Sequence, residues 1–250
     1  MIKELVKRLA PGPLLRAYRD YRSSQVRARF GKYPLQEAFR KIYLERLWGG
    51  DETFSGSGSA SEVAEAYVAA IRRLIEERGV ASVVDIGCGD FRIGRAIKAG
   101  SAISYCGVDI VPEIVARNAE LFSAPDVRFV CADATRDELP RGDLCLVRQV
   151  LQHLSNEEIA RALANLKRTY RLIAITEHQP VLARDSKPNL DKPHGPDTRL
   201  TDGSGVFVDR PPFNEAVSVL CEVPSGEPGG RIPERIVTVL VEQTEWPRRN

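Results

Sequence analysis

Val83-Val84-Asp85-Ile86-Gly87-Cys88-Gly89-Asp90-Phe91 is the stretch whose reading decides the fold. An apolar run of strand character ends in two glycines one residue apart and passes into helical spacing around Ile93–Lys98. Glycines there let the backbone approach a ligand closely, and the free N–H groups of a helix start offer donors to an anionic group. A Gly-x-Gly turn alone does not name the ligand. A dinucleotide-binding turn wants its third glycine at position 92, where this chain has Arg92. An acid, Asp85, also stands two positions before the first glycine, so a nicotinamide cofactor is disfavoured.

The same alternation extends outward. Apolar runs at Ser82–Ile86, Ile103–Val108, Val127–Cys131, Leu144–Val147 and Leu172–Ile175 predict strands. Helical stretches at Ile93–Lys98, Pro112–Leu121 and Asn156–Tyr170 lie between them, and another runs from Ser61 towards Gly79. Strands alternating with helices imply βαβ units and a parallel sheet. Two β-rich runs near the end, Ala216–Val223 and Ile236–Glu242, flank Ser-Gly-Glu-Pro-Gly-Gly and predict a long hairpin. The expected fold class is α/β: a parallel sheet with a terminal hairpin and an N-terminal helical extension.

Domain organisation follows from the flanks. Residues 1–60 read as a helical extension with a Gly/Ser-rich loop at 49–61, a linker or a lid, and residues 61–250 as the main domain. Within the latter, 180–214 is rich in Pro, Asp and Gly and reads as an irregular substrate-side loop. Nine basic residues in 1–32 face only Glu4 and Asp20, a local +7 that leaves about −5 for the rest. A basic arm on a mildly acidic body does not suit a nucleic-acid binder, whose charge should line the working face. No run approaches the ~20 apolar residues of a membrane span. The N-terminus has no unbroken apolar core of a secretory signal. Five singly placed cysteines without CxxC spacing favour a reducing, cytoplasmic setting.

Acids recur at the strand ends. Gly107-Val108-Asp109 closes the second strand, with Asp109 placed to accept hydrogen bonds from ribose hydroxyls. Phe129-Val130-Cys131-Ala132-Asp133-Ala134 closes the third, and the segment Asp143 to Leu154 carries Arg148, Gln149 and His153 beyond the fourth. Ligands of open α/β sheets bind at these carboxyl ends. The series DIGCGD, GVDI, CADA and LCLVRQVLQHLS, in order over residues 60–178, resembles a class I S-adenosylmethionine-dependent methyltransferase.

The resemblance implies a doubly wound, Rossmann-like, seven-stranded sheet with an antiparallel terminal hairpin, and S-adenosylmethionine as cofactor. Asp85, Gly87 and Gly89 would cradle its methionine part, and Asp109, beside Ile110, would take the ribose hydroxyls. Asp133 with the Ala134 backbone would face the adenine, and Arg148 and Gln149 would close the pocket under the sulfonium. Phe91 stands where the family has a third glycine, so a differently shaped turn is expected there. A narrower likeness, Trp48-Gly49-Gly50 with Ser55-Gly56-Ser57-Gly58-Ser59 and CGDF, resembles bacterial small-molecule and glycan methyltransferases. In that likeness Ser55, Gly56 and Ser57 fold over the cofactor and hold its carboxylate.

The implied reaction is in-line methyl transfer to a small-molecule or glycan acceptor, with oxygen the expected nucleophile. His178, Glu177 and His153 are the candidate bases, in that order. Glu177 and His178 should follow the fifth strand and point into the rim, and His153 could instead hold the loop after the fourth. Two alternatives stay open: N-methylation of an amine, which needs no base, and a non-catalytic cofactor-binding regulator. Asp197, Arg199, Asp209 and Arg210 are expected to be solvent-facing, and the spacing of Asp185, Asp191 and Asp209 specifies no metal geometry. Leu5, Val6 and Leu9 beside Lys3, Lys7 and Arg8 give a further expectation, peripheral contact with an anionic inner-membrane surface. Oligomeric state is left open.

Overall fold

The computed structural model describes residues 12–48, 62–181, 187–225 and 233–243. Helices α1 (Gly12–Phe30) and α2 (Leu35–Leu44) precede α3 (Glu62–Arg78). The alternating part runs β1 (Ser82–Ile86), α4 (Arg92–Lys98), β2 (Ser104–Asp109), α5 (Pro112–Phe122), β3 (Val127–Cys131), β4 (Leu144–Arg148), α6 (Asn156–Thr169) and β5 (Leu172–Pro180). Strands β6 (Ser218–Ser225) and β7 (Glu234–Glu242) complete it. The seven strands are ordered β3-β2-β1-β4-β5-β7-β6, so the expected doubly wound sheet with an antiparallel hairpin end is the one observed. The first five are parallel; β7 runs antiparallel to β5, and β6 to β7.

Period-two alternation explains how one sheet serves two cores. Val84 and Ile86 of β1, Cys145 and Val147 of β4, and Ile173 and Ile175 of β5 join a cluster with Phe30, Phe39, Ile42, Ile114 and Ile159. The intervening Val83, Leu144, Leu146, Leu172 and Ala174 meet Tyr67, Ile71 and Ile97 on the opposite face. Helices α1 and α2 thus share the first core with the sheet. Pro13 sits in the first turn of α1, where its missing N–H costs nothing. Helix α2 closes at Leu44, and residues 45–48 form a turn after it. Helix α6 starts with a capping box, Ser155 accepting from the Glu158 N–H while the Glu158 carboxylate accepts at Ser155.

Two boundaries differ from expectation in ways that matter for the site. Strand β5 continues through Pro180 because β7 pairs with it along its whole length, from Leu172↔Glu242 to Pro180↔Glu234. The segment expected as an irregular loop, 180–214, has a short 3₁₀ turn at Arg199–Asp202 and buries Val206, Phe207 and Val208. The order reversal between β1 and β4 leaves a crevice beyond their carboxyl ends, where ligands of such sheets bind.

Candidate functional site

A cavity of about 840 Å³ opens at this crevice. It is lined by the β1–α4 turn, the ends of β2, β3 and β4, the 3₁₀ turn Leu151–His153, and residues of α2, α3, β5 and β6. That size holds a nucleoside cofactor together with a small acceptor.

Three acids converge on one end. Asp85 is buried and accepts a 2.6 Å hydrogen bond from the Tyr105 hydroxyl. Burial pushes its carboxyl up to about 6, against the pull of Tyr105 and Arg148. Asp109 is 8% exposed and is held by backbone: Gly89 N–H donates to Oδ2 at 3.1 Å and Val111 N–H to Oδ1 at 3.0 Å. Burial raises its pKa while these N–H groups lower it. Asp133 accepts from the Thr135 N–H at 2.9 Å and its hydroxyl at 2.7 Å, with Arg136 Nε 3.2 Å from Oδ2. Ile110, Ala134, Arg148 and Gln149 line the same space, and Arg148 also lies over the Tyr67 ring.

The glycine turn has the geometry that close approach requires. Gly87 has φ +71, and a Cβ there would lie 2.3 Å from Val150 Cγ2. Phe91 corrects an expectation. Its φ of +62 is the left-handed conformation that a glycine would take, so the turn is not reshaped. Its ring lies 4.9–5.4 Å from Tyr105, Phe122 and Phe129, and this packing offsets the backbone strain.

The other end of the cavity is aromatic and apolar. Phe39 packs 5.6 Å from Trp48, and Trp48 lies 4.7 Å from His153. The Trp48 indole donates to Pro196 O at 2.9 Å, tying the turn after α2 to the 187–202 segment. His153 lines the cavity, and burial together with Lys192 pushes its imidazole down to about 3. So acidic an imidazolium is a weak base at neutral pH.

Glu177 is also corrected. It lies inside β5, not beyond it, and because neighbouring residues of a strand face opposite sides it turns away while its neighbour His178 lines the cavity. Its carboxylate, 2% exposed, accepts the Leu151 and Gln152 N–H groups at 2.9 and 3.2 Å. Burial drives its pKa up to about 8 despite those donors and Arg199. His178 Nε2 stands 2.9 Å from Ser225 Oγ and 3.0 Å from Glu234 Oε2. Burial lowers its pKa and Glu234 raises it.

Sequence reasoning missed the partners. Ser225 and Glu234 come from the terminal hairpin, and nothing local marks either. Arg199, expected in solvent, is 1% exposed and bonds four backbone carbonyls and Asn156 Oδ1. Asp197 binds Arg27, Ser23 and Lys192, whereas Asp209 and Arg210 are exposed and pair with each other. Ser55, Gly56 and Ser57 lie outside the described residues, as do residues 1–11 of the basic arm. Further along that arm, Arg27 pairs with Asp197 and Asp202 and Arg29 with Glu45. Among the described residues no group of His, Cys, Asp and Glu is arranged to hold a metal, and no helix is long and apolar enough to cross a membrane.

The donor set suits a nucleoside joined to a cationic chain: a buried acid at each of three adjacent strand ends, and a glycine turn that admits backbone approach. Comparison with known proteins agrees. Residues 83–171 match the family described as a methyltransferase domain. No curated protein matches the chain. The N-methyltransferase NodS from Bradyrhizobium japonicum WM9, solved with S-adenosyl-L-homocysteine, is 13% identical with a TM-score of 0.56, over 82% of this chain and 100% of that one. The N-terminal domain of EvdMO1 with S-adenosylhomocysteine bound is 18% identical with a TM-score of 0.52, over 85% and 98%. Magnesium protoporphyrin IX methyltransferase from Synechocystis PCC 6803 is 13% identical with a TM-score of 0.50, over 82% and 97%. These likenesses establish the fold: the chain has the doubly wound sheet shared by these methyltransferases, and its residues 83–171 match a methyltransferase domain.

Proposed function

We propose that the protein methylates a hydroxyl oxygen of a small-molecule or glycan acceptor. One observation carries this reading: His178 lines the cavity with Glu234 Oε2 3.0 Å from its Nε2. A carboxylate there fixes the Nε2–H tautomer and leaves Nδ1 unprotonated, the arrangement of a general base. An amine acceptor would need no such base.

In this reading Asp109 binds the ribose hydroxyls, with Ile110 packed alongside, and Asp133 with the Ala134 backbone meets the adenine. Asp85, Gly87, Gly89, Arg148 and Gln149 enclose the amino-acid end, and Ser55, Gly56 and Ser57 are assigned to the carboxylate. S-adenosylmethionine supplies an electrophilic methyl group. The protein's share is to align the acceptor oxygen with it and exclude water between Phe39, Trp48 and Pro196. His178 takes the hydroxyl proton, and Glu234 stabilises the imidazolium that results. Five free thiols suit the reducing cytoplasm as the place of reaction.

The test is a turnover assay with methyl-labelled cofactor against sugars, phenols and amines. The expected result is labelled ether, with kcat reduced by about 10²–10⁴-fold in His178→Ala. Label appearing only in amines, at a rate indifferent to His178→Ala, would overturn the assignment.

A further inference from the structure

The 3₁₀ turn after β4 is gripped from two sides by buried polar side chains, Glu177 and Arg199. Leu151 and Gln152 direct their N–H groups onto the two oxygens of Glu177. On the other side Arg199 donates to Gln152 O at 3.2 Å, Leu154 O at 2.8 Å, Asn156 Oδ1 at 2.9 Å and Leu190 O at 2.8 Å. A single 3₁₀ turn leaves most of its N–H and C=O groups without internal partners. Here they are satisfied by the Glu177 carboxyl group and by the planar fork of a guanidinium, which reaches several carbonyls at once as an ammonium cannot.

Glu177 and Arg199 do not line the cavity, but Gln152 and Leu154, whose backbone they hold, do. Gln152 is 7% exposed; its Nε2 donates to Gln149 O at 3.3 Å, which fixes the amide's orientation and leaves Oε1 buried without a partner. His153 Nδ1 is likewise buried without one. An unpaired buried acceptor in a cavity wall calls for a donor on the ligand.

We propose that Glu177 and Arg199 are positioning residues for the acceptor end: by clamping the backbone of the 151–154 turn they fix the Gln152 amide and the His153 ring in the cavity wall. Gln152 Oε1 then receives an O–H or N–H of the acceptor. The inference deepens the acceptor site proposed above and rests on it, yet its test needs neither acceptor nor turnover.

Trp48 is the reporter, because an imidazolium quenches an indole stacked on it. In a Trp246→Phe background, Trp48 emission is followed from about pH 5 to 8 for the parent, Arg199→Lys and Glu177→Gln. Calorimetric titration with S-adenosylhomocysteine and thermal unfolding accompany each. Arg199→Lys keeps the charge and loses the fork; Glu177→Gln keeps the shape and presents an NH₂ to a backbone N–H. In the parent, His153 is shielded among Trp48, Gln152, Lys192 and Asp197 and stays neutral, so emission is flat. In both variants the loosened turn releases His153. The expected result is cooperative unfolding, S-adenosylhomocysteine affinity within about twofold of the parent, and quenching with a midpoint moved towards the ordinary ~6.5.

Flat emission in both variants would overturn the proposal. So would a loss of S-adenosylhomocysteine affinity of about tenfold or more, or failure of both variants to fold, since the pair would then support the whole domain. Failure of the parent to bind S-adenosylhomocysteine would instead count against the function proposed above.

Discussion

The two ends of the cavity are built differently. At the end assigned to the cofactor the acids are held from within about twenty residues: Asp109 by the N–H groups of Val111 and Gly89, Asp133 by Thr135, and Asp85 by the Tyr105 hydroxyl. At the acceptor end the contacts span the chain: Trp48 to Pro196, Arg27 to Asp197, Arg199 to Leu154, His178 to Glu234. A site fixed by local backbone is robust to changes elsewhere. A site assembled from distant segments depends on the few buried groups that join them.

The contrast makes its largest prediction at Arg199. Arg199→Ala leaves several carbonyls and the buried Glu177 uncompensated, and should cost about 3–5 kcal/mol of stability. Urea unfolding with an unchanged m-value would measure it. A loss under about 1 kcal/mol would break the comparison, because the acceptor end would then stand without its keystone.

Next comes Asp109→Ala, which should weaken S-adenosylhomocysteine binding by about 100-fold through loss of two charge-assisted hydrogen bonds. An effect of similar size on the parent's Trp48 emission would blur the two ends into one. Gly87→Ala follows. Its φ of +71 and the approach of Val150 should cost about 2 kcal/mol of stability. Cofactor affinity should fall with it while the environment of Trp48 is spared.

The smallest effect is a pH dependence. His194 Nδ1 lies 2.7 Å from Glu158 Oε1 and Nε2 3.1 Å from Tyr33 O, so both ring nitrogens meet acceptors and the histidine pKa is raised. Glu158 is held down at about 2, its side-chain hydrogen bonds to His194 and Ser155 outweighing burial. The histidine's contribution is full below its unfolded value near 6.5 and lost as pH rises through the raised one. That of the glutamate is present above its unfolded value and lost as pH falls towards about 2. His194→Asn should therefore cost about 1 kcal/mol at pH 5.5 and less at pH 9, read from denaturation midpoints.

The difference between the ends also explains what the sequence discloses. Asp85, Asp109 and Asp133 are legible because a strand end, a turn and an acid fall within a few residues, and alternating apolar runs reveal the sheet that aligns them. Glu177 misleads because the length of β5 is set by β7, some sixty residues later: a strand read to Ile175 leaves Glu177 and His178 together in a loop, whereas a strand running to Pro180 sends them to opposite faces. Arg199 misleads because its Pro- and Asp-rich neighbourhood has the composition of a solvated loop, while its burial comes from backbone carbonyls, which carry no sequence signature. Phe91 is readable only in part. The glycine-like backbone is invisible, but the aromatics that hold it, Tyr105, Phe122 and Phe129, are in plain view.

The central claim is that the three strand-end acids form the S-adenosylmethionine site. Calorimetric titration of the cofactor and of S-adenosylhomocysteine into wild type and Asp109→Ala, both shown to unfold cooperatively, tests it most directly. The account predicts micromolar binding by wild type and a collapse of about 100-fold in the variant. No binding by folded wild type, or equal binding by the variant, would contradict it.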